Sequence, residues 1–322
     1  MINLESLYTW ILLVLIGFNI GIVSGFFGVG GAFILTPLLN ILGLPMASAV
    51  GTGLFFAVMV SSVGGVRHYF AGNTIIKVSI MLGFLSFIGI RISQPLVIYL
   101  DQLNLADIYI RVLYIVLLLL LGISTIRKRL NNAHSDSKQK KFFLLEWIAL
   151  IPPKIKIDSS YPLISIWLIV LIALVVGFLQ GFMGVGGGFI LVPLLIIFLD
   201  MKPHHAVGTS LLTIVISSIF ATYLYYQEGK VIILAALLLG AGSLFGVNFG
   251  VRATQNINEE NLKKFYAIFL ILTALGIILK EMQFEIMSMI YMLTLTIGVA
   301  LLIVRRFCFQ KQCFGIFKNR NH

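Results

Sequence analysis

The chain has 322 residues, 59% of them hydrophobic and only 11% charged, with a formal net charge of +11. A soluble domain carries roughly 25% charged residues, so this composition excludes a water-soluble globular protein and points to a polytopic α-helical membrane protein. The positive charge does not indicate nucleic acid: 13 of the 23 Lys and Arg sit in two blocks beside apolar runs, Arg127 to Lys156 and Arg305 to Arg320, where the positive-inside rule accounts for them.

In chain order, an apolar segment at 7–27 and a short one at 31–43 are separated by glycines, and spans follow at about 47–70, 75–99 and 107–127. No basic residue precedes Arg67, so the first segment lacks the positive region of a cleavable signal. The connector is basic. Within it FFLLEWIALI at 142–151, ended by Pro152 and Pro153, reads as a short interfacial helix. The pattern then returns: segments at 162–183 and 187–200 flank a second glycine cluster, and spans follow at about 206–226, 231–251 and 262–280. An additional span at about 285–304 leads to a basic tail with the two cysteines, Cys308 and Cys313, expected to be reduced if the tail is cytoplasmic. The runs are apolar on every face, which excludes the alternation of a β-barrel.

The short arms, about 13 residues or roughly 20 Å as helix, fall short of the roughly 30 Å hydrocarbon core. Each long–short pair therefore predicts a hairpin or broken helix whose tip stops inside the membrane. The fold class is all-α: two homologous repeats, each a Gly-broken helix or hairpin followed by three transmembrane helices, plus one extra C-terminal transmembrane helix. The expected division is repeat 1 (1–130), connector (131–161), repeat 2 (162–282), extra helix (283–304) and tail (305–322).

Let the chain start outside and cross at every segment. The loops with Asp101 and Asp107, with Glu228 and Lys230, and with Lys280, Glu281 and Glu285 then fall outside. Those with Arg67, His68 and Lys77, with Lys202, His204 and His205, and with Arg252, Lys263 and Lys264 fall inside, with the connector and tail. This satisfies the positive-inside rule, and the three histidines are expected to be solvated. Five crossings per repeat is an odd number, which predicts that the halves are inverted relative to each other.

The repetition is explicit. SGFFGVGGAFILTPLL at 24–39 returns as QGFMGVGGGFILVPLL at 180–195, identical at 12 of 16 positions, and AVGTGL at 49–54 returns as AVGTSL at 206–211. Gly25, Gly28, Gly30 and Gly31, with Gly181, Gly184, Gly186, Gly187 and Gly188, predict an unwound backbone that a ligand can approach. Pro37 and Pro193 lie six residues beyond each GVGG. The helix starting after each break offers free N–H groups and a positive dipole end, which suit an anion. Thr52, Thr209 and Ser210 could cap a helix or contact that anion; Ser61, Ser62, Ser217 and Ser218 are assigned to helix contacts. Arg91, an intramembrane charge, and its repeat-mate Asn248 are candidate electrostatic partners, although Arg91 could equally reach the outer headgroups. Arg111 reads as an interfacial anchor. No Asp or Glu lies deep in a span, neither nucleotide-loop spacing nor H-E-x-x-H nor G-x-S-x-G occurs, and no enzymatic or metal chemistry is expected.

The doubled pattern, GFFGVGGAFILTPLL with AVGTGL and GFMGVGGGFILVPLL with AVGTSL, resembles the sulfite exporter TauE/SafE family, also grouped as toluene-sulfonate uptake permeases. The resemblance runs from about 15 to 280 and implies a bacterial inner-membrane or plasma-membrane permease for sulfite, a sulfonate or a related organic anion. The sequence departs from its own repeat at Ala32, where the second copy has Gly188. The combined expectation is a secondary transporter working by alternating access on a small anionic substrate, with membrane lipid around it and no cofactor or metal. A coupling proton or Na+ and a homo-oligomer are compatible with the pattern. A passive anion channel, or a membrane sensor or scaffold that does not transport, is the alternative.

Overall fold

The computed structural model describes residues 7–132, 151–156, 161, 163–255 and 257–305. The interfacial helix expected at 142–151, apart from Ile151, and the cysteines of the tail lie outside the described residues. Among these residues the chain forms α1 (Leu7–Phe27), α2 (Ala32–Ile41), α3 (Met46–Phe70), α4 (Ile76–Gln102) and α5 (Ala106–Asn132), then β1 (Lys154–Lys156) and β2 (Leu163–Ser165). The second half follows as α6 (Ile166–Met183), α7 (Gly188–Phe198), α8 (Pro203–Gln227), α9 (Ile233–Gln255) and α10 (Glu259–Glu281), with α11 (Glu285–Ile303) last. Nine of these helices are long and apolar enough to cross a membrane. The exceptions, α2 and α7, are about 15 and 17 Å long.

Several helices run a few residues past the apolar limits of the sequence. Asn258 accepts from Glu260 N and starts α10, while Pro203 starts α8 at a position where its missing N–H costs nothing. The antiparallel pair β1–β2, with Ile155 opposite Ile164, is an addition that apolar patterning gives no sign of.

The first helix of each half is housed in the other half. α1 packs along α9 and α6 along α4, both pairs parallel, since Gly17, Gly21 and Gly25 meet Leu239, Ser243 and Val247 in order. A Cβ on Gly21 would fall 2.7 Å from Ser243 O; one on Gly177, the matching position of the second repeat, would fall 2.1 Å from Ser86 O. Gly242, Gly246 and Gly250 of α9 press equally close to Val14, Phe18 and Ile22. These are small-xxx-small seams, which bring backbones together where lipid supplies no hydrophobic drive. Gly25 and Gly181, grouped above with the break, belong to these seams. α3 and α8 cross at the centre and α5 packs on α10.

The loops gather at two ends. At one, Met46 N donates to Asp107 Oδ1 at 2.9 Å, Lys230 pairs with Asp101 at 2.7 Å and Arg111 with Glu281 at 2.9 Å. Arg111, expected as an interfacial anchor, is thus an ion-pair bridge from α5 to α10. At the other end, Lys77 Nζ donates to Lys156 O at 2.8 Å and Tyr161 OH lies 2.8 Å from His205 Nδ1.

Candidate functional site

Each break is a short run of left-handed backbone. Gly28, Gly30 and Gly31 have φ of 71°, 75° and 72°; Gly184, Gly186 and Gly187 have 70°, 68° and 79°. An L side chain in this region costs roughly 1–2 kcal/mol, so three such positions in four residues require glycine. The φ values divide the glycines that the sequence could only group: the seam glycines and Gly188 are helical, and the other six of the breaks are not.

The breaks leave carbonyls at the ends of α1 and α6 without intrahelical partners, and side chains take them. Ser210 Oγ donates to Gly28 O at 2.7 Å, and Thr36 Oγ1 to Gly184 O at 3.1 Å. Thr254 Oγ1 donates to Phe26 O at 2.7 Å, Tyr114 OH to Met183 O at 2.9 Å and Tyr225 OH to Gly181 O at 2.7 Å. Pro193, which has no N–H to offer four residues back, leaves Phe189 O free for the Tyr266 hydroxyl.

Beyond the breaks, α2 and α7 begin at Gly31 and Gly187 with no side-chain cap. Their N-terminal N–H groups and dipole ends stay available. The two tips meet at the middle of the molecule. A Cβ on Gly188 would lie 2.6 Å from Val29 Cα, which explains why this copy has glycine where the first has Ala32. Ile214 sits between the tips, 3.2 Å from a Cβ on Gly30 and 3.4 Å from one on Gly186, and forms a small cluster with Ala32 and Ala57.

Buried polar side chains flank the breaks, among them Ser61, which the sequence assigned to a helix contact. Ser24, Ser61 and Gln180 are each 0% exposed. Ser24 Oγ, Ser61 Oγ and Gln180 Oε1 have no hydrogen-bond partner, while Gln180 Nε2 donates to Ser218 Oγ at 2.8 Å. Ser61 Oγ is 3.1 Å from a Cβ on Gly30, and Gln180 Oε1 is 3.4 Å from one on Gly187. A buried polar atom without a partner costs about 1–3 kcal/mol, and these three lie against the breaks, Ser24 beside Gly31, Ser61 beside Gly30 and Gln180 beside Gly187, which makes the tips the candidate site. One signal existed: Ser24 and Gln180 open the two copies of the motif, a polar residue at the same place in each.

The other expected site residues stand elsewhere. Thr52 Oγ1 accepts from Ile232 N at 3.0 Å and Thr209 Oγ1 from Ile75 N at 3.1 Å, so each ties the loop before a helix of the opposite half. Arg91 is exposed on α4; Asn248 is half-buried on α9, with its Nδ2 donating to Leu244 O. The structure does not bring these two to the tips. His68, expected to be solvated, is buried, because α3 carries it inward against the end of α1.

A family model described as sulfite exporter TauE/SafE matches residues 13–277. A probable membrane transporter protein of Methanocaldococcus jannaschii is 27% identical over 278 residues, covering 81% of this chain and 92% of its own length. One from Bacillus subtilis is 26% identical over 269 residues, covering 83% of this chain and 99% of its own. One from Haemophilus influenzae is 26% identical over 297 residues, covering 85% and 100%. No solved structure matches significantly.

Proposed function

Because the chain belongs to the sulfite exporter TauE/SafE family, we propose that this integral membrane protein is a secondary transporter for a small anion: sulfite, a sulfonate or a related sulfur-containing organic anion. The observation that carries the reading is the meeting of two uncapped helix starts with the unpartnered atoms of Ser24, Ser61 and Gln180. Desolvating an anion costs several kcal/mol per charge, and one helix end returns at most about 2 kcal/mol. Two helix ends, with backbone N–H groups and hydroxyls that each add about 1.5–3 kcal/mol to a charged partner, reach the required scale without a charged side chain or a metal.

The contacts also support inverted repeats. Thr52 with Ile232 and Thr209 with Ile75 are the same contact made in both directions, and so are Gly28 with Val207 and Gly184 with Val50. In this reading the hairpin tips enter from opposite sides and meet near the midplane. The protein lies in the bacterial inner or plasma membrane with its N-terminus outside and its connector and tail cytoplasmic, as the basic blocks favour. Ile214 and the touching tips form the occluded state, and rocking of one half against the other opens the site to each side in turn.

The test is flux of labelled sulfite, sulfate, thiosulfate, taurine and sulfoacetate into proteoliposomes. Saturable uptake of one of them is expected. Absence of flux for all five overturns the substrate class, and flux that rises linearly with concentration favours a channel.

A further inference from the structure

The two halves hold matching carbonyls with different chemistry. Gly25 O and Gly181 O are equivalent positions of the repeated motif, and the side chains that reach them, His68 and Tyr225, are equivalent positions of α3 and α8. Tyr225 OH donates at 2.7 Å, a firm bond from a group that stays protonated throughout the physiological range. His68 Nε2 lies 3.5 Å from Gly25 O, at the limit of hydrogen bonding. Its Nδ1 is buried with no partner. The first hairpin is thus fastened in part by the side chain that titrates near neutrality, the second by one that does not.

We propose that His68 is a proton-operated latch on the first hairpin. Docked, the ring is 0% exposed and neutral, with its proton on Nε2 directed at Gly25 O; an imidazolium there would lose its hydration. When α1 and the first break move away from α3, water reaches the ring and Nδ1 takes a proton from solution. No bond other than N–H forms, and the imidazolium gives the same proton back on redocking.

The surroundings suit this exchange. From α8, His204 is half-buried in the first turn. From α9, Thr254 reaches the same Gly25 carbonyl, while Arg252 is exposed, as is Arg67 beside His68 on α3. The C-terminal dipole of α3, where His68 occupies the last turn, favours the imidazolium once it is hydrated. Only the undocked state accepts the proton readily, so the docked fraction falls as pH falls.

The physiological meaning rests on the transport reading, but the test does not need a substrate. Hydrogen exchange of the full-length protein in nanodiscs is followed at about pH 5 and pH 8, on either side of the ordinary imidazole range, with each rate corrected for intrinsic exchange. Residues 22–34 should lose protection on acidification below about pH 6.5, by up to about tenfold per pH unit, while residues 178–190 serve as the internal control and stay unchanged. H68Y, which copies the second half, and H68Q, which keeps a donor that does not titrate, should both abolish the response. Y225H should give the second hairpin a response of its own. The latch is overturned if wild type shows no response, if both hairpins respond alike, or if the response survives in H68Y and H68Q. Flux of the same five labelled anions, run in parallel, separates the claims. Flux without pH-dependent exchange overturns the latch and leaves transport standing; pH-dependent exchange with no flux of any sulfur anion does the reverse.

Discussion

In the first hairpin the carbonyls left at the end of α1 are taken by His68, Thr254 and Ser210; in the second, those of α6 are taken by Tyr225, Tyr114 and Thr36. The backbone is nearly the same in both, with the left-handed glycines agreeing within a few degrees (71°, 75° and 72° against 70°, 68° and 79°). Backbone shape and fastening are therefore separable. The glycines fix where the helix breaks, and any hydroxyl or imidazole that arrives from a neighbouring helix can hold the result. Gly28 O is held from α8 by Ser210. At the matching position of α3 there is only Gly53, and Thr36 of the short helix α2 supplies the hydroxyl for Gly184 O instead.

The comparison can be broken outright at the glycines. Gly184→Leu or Gly186→Trp should abolish sulfur-anion flux at matched protein levels. Gly184 carries φ of +70° and a Cβ there would fall 2.6 Å from Val50 Cα, so the side chain meets backbone that cannot yield. Gly28→Leu should do the same against Val207. Normal uptake in all three would end the idea that both tips matter.

A smaller effect tests whether the fastenings interchange. Thr36→Val leaves Gly184 O unpaired, a cost of about 1–3 kcal/mol. Gly53→Ser alone puts a Cβ 2.4 Å from Thr36 Oγ1 and should also destabilise. The T36A/G53S double variant, from which the clashing γ atom is gone, rebuilds the Ser210 arrangement of the first hairpin and should recover much of the loss, measured against Thr36→Ala, in a thermal melt. A double variant no better than the worse single would mean the hydroxyl's origin matters.

Next in size, Tyr225→Phe should lower stability more than His68→Phe, because the first bond is 2.7 Å and the second 3.5 Å; unfolding midpoints in one detergent compare them. The smallest change should come from Lys230→Ala. Its ion pair with Asp101 joins the halves at the partly exposed end, where such pairs are worth up to about 1 kcal/mol, and the difference should shrink in high salt.

Much of the fold was legible because the membrane makes it so. Runs apolar on all faces, broken twice by the same motif, give the spans, the two short arms and the extra helix in order. The candidate site was legible only in part. Gly21 and Gly25 repeat at a seam spacing, but the partner helix lies more than two hundred residues away, and nothing local separates a seam glycine from one with positive φ. Thr52, Thr209 and Ser210 stood out as polar residues in a repeated element, yet their hydroxyls fasten loops and a carbonyl. Ser61 was assigned to a helix contact, and Ser24 and Gln180 were not singled out, yet all three carry a buried atom without a partner.

The exchange of first helices between halves also bears on how the protein comes into being. The seam glycines of α1 leave the ribosome about two hundred residues before Leu239, Ser243 and Val247 exist, at a synthesis rate of about 5–20 residues per second. For that interval α1 sits in the bilayer with a groove cut for an absent neighbour, and the first half cannot mature on its own schedule. Its completion is timed by the second half. A stop codon in the connector would leave α1 without its seam partner, whereas the two halves supplied as separate chains have a route to assemble on each other.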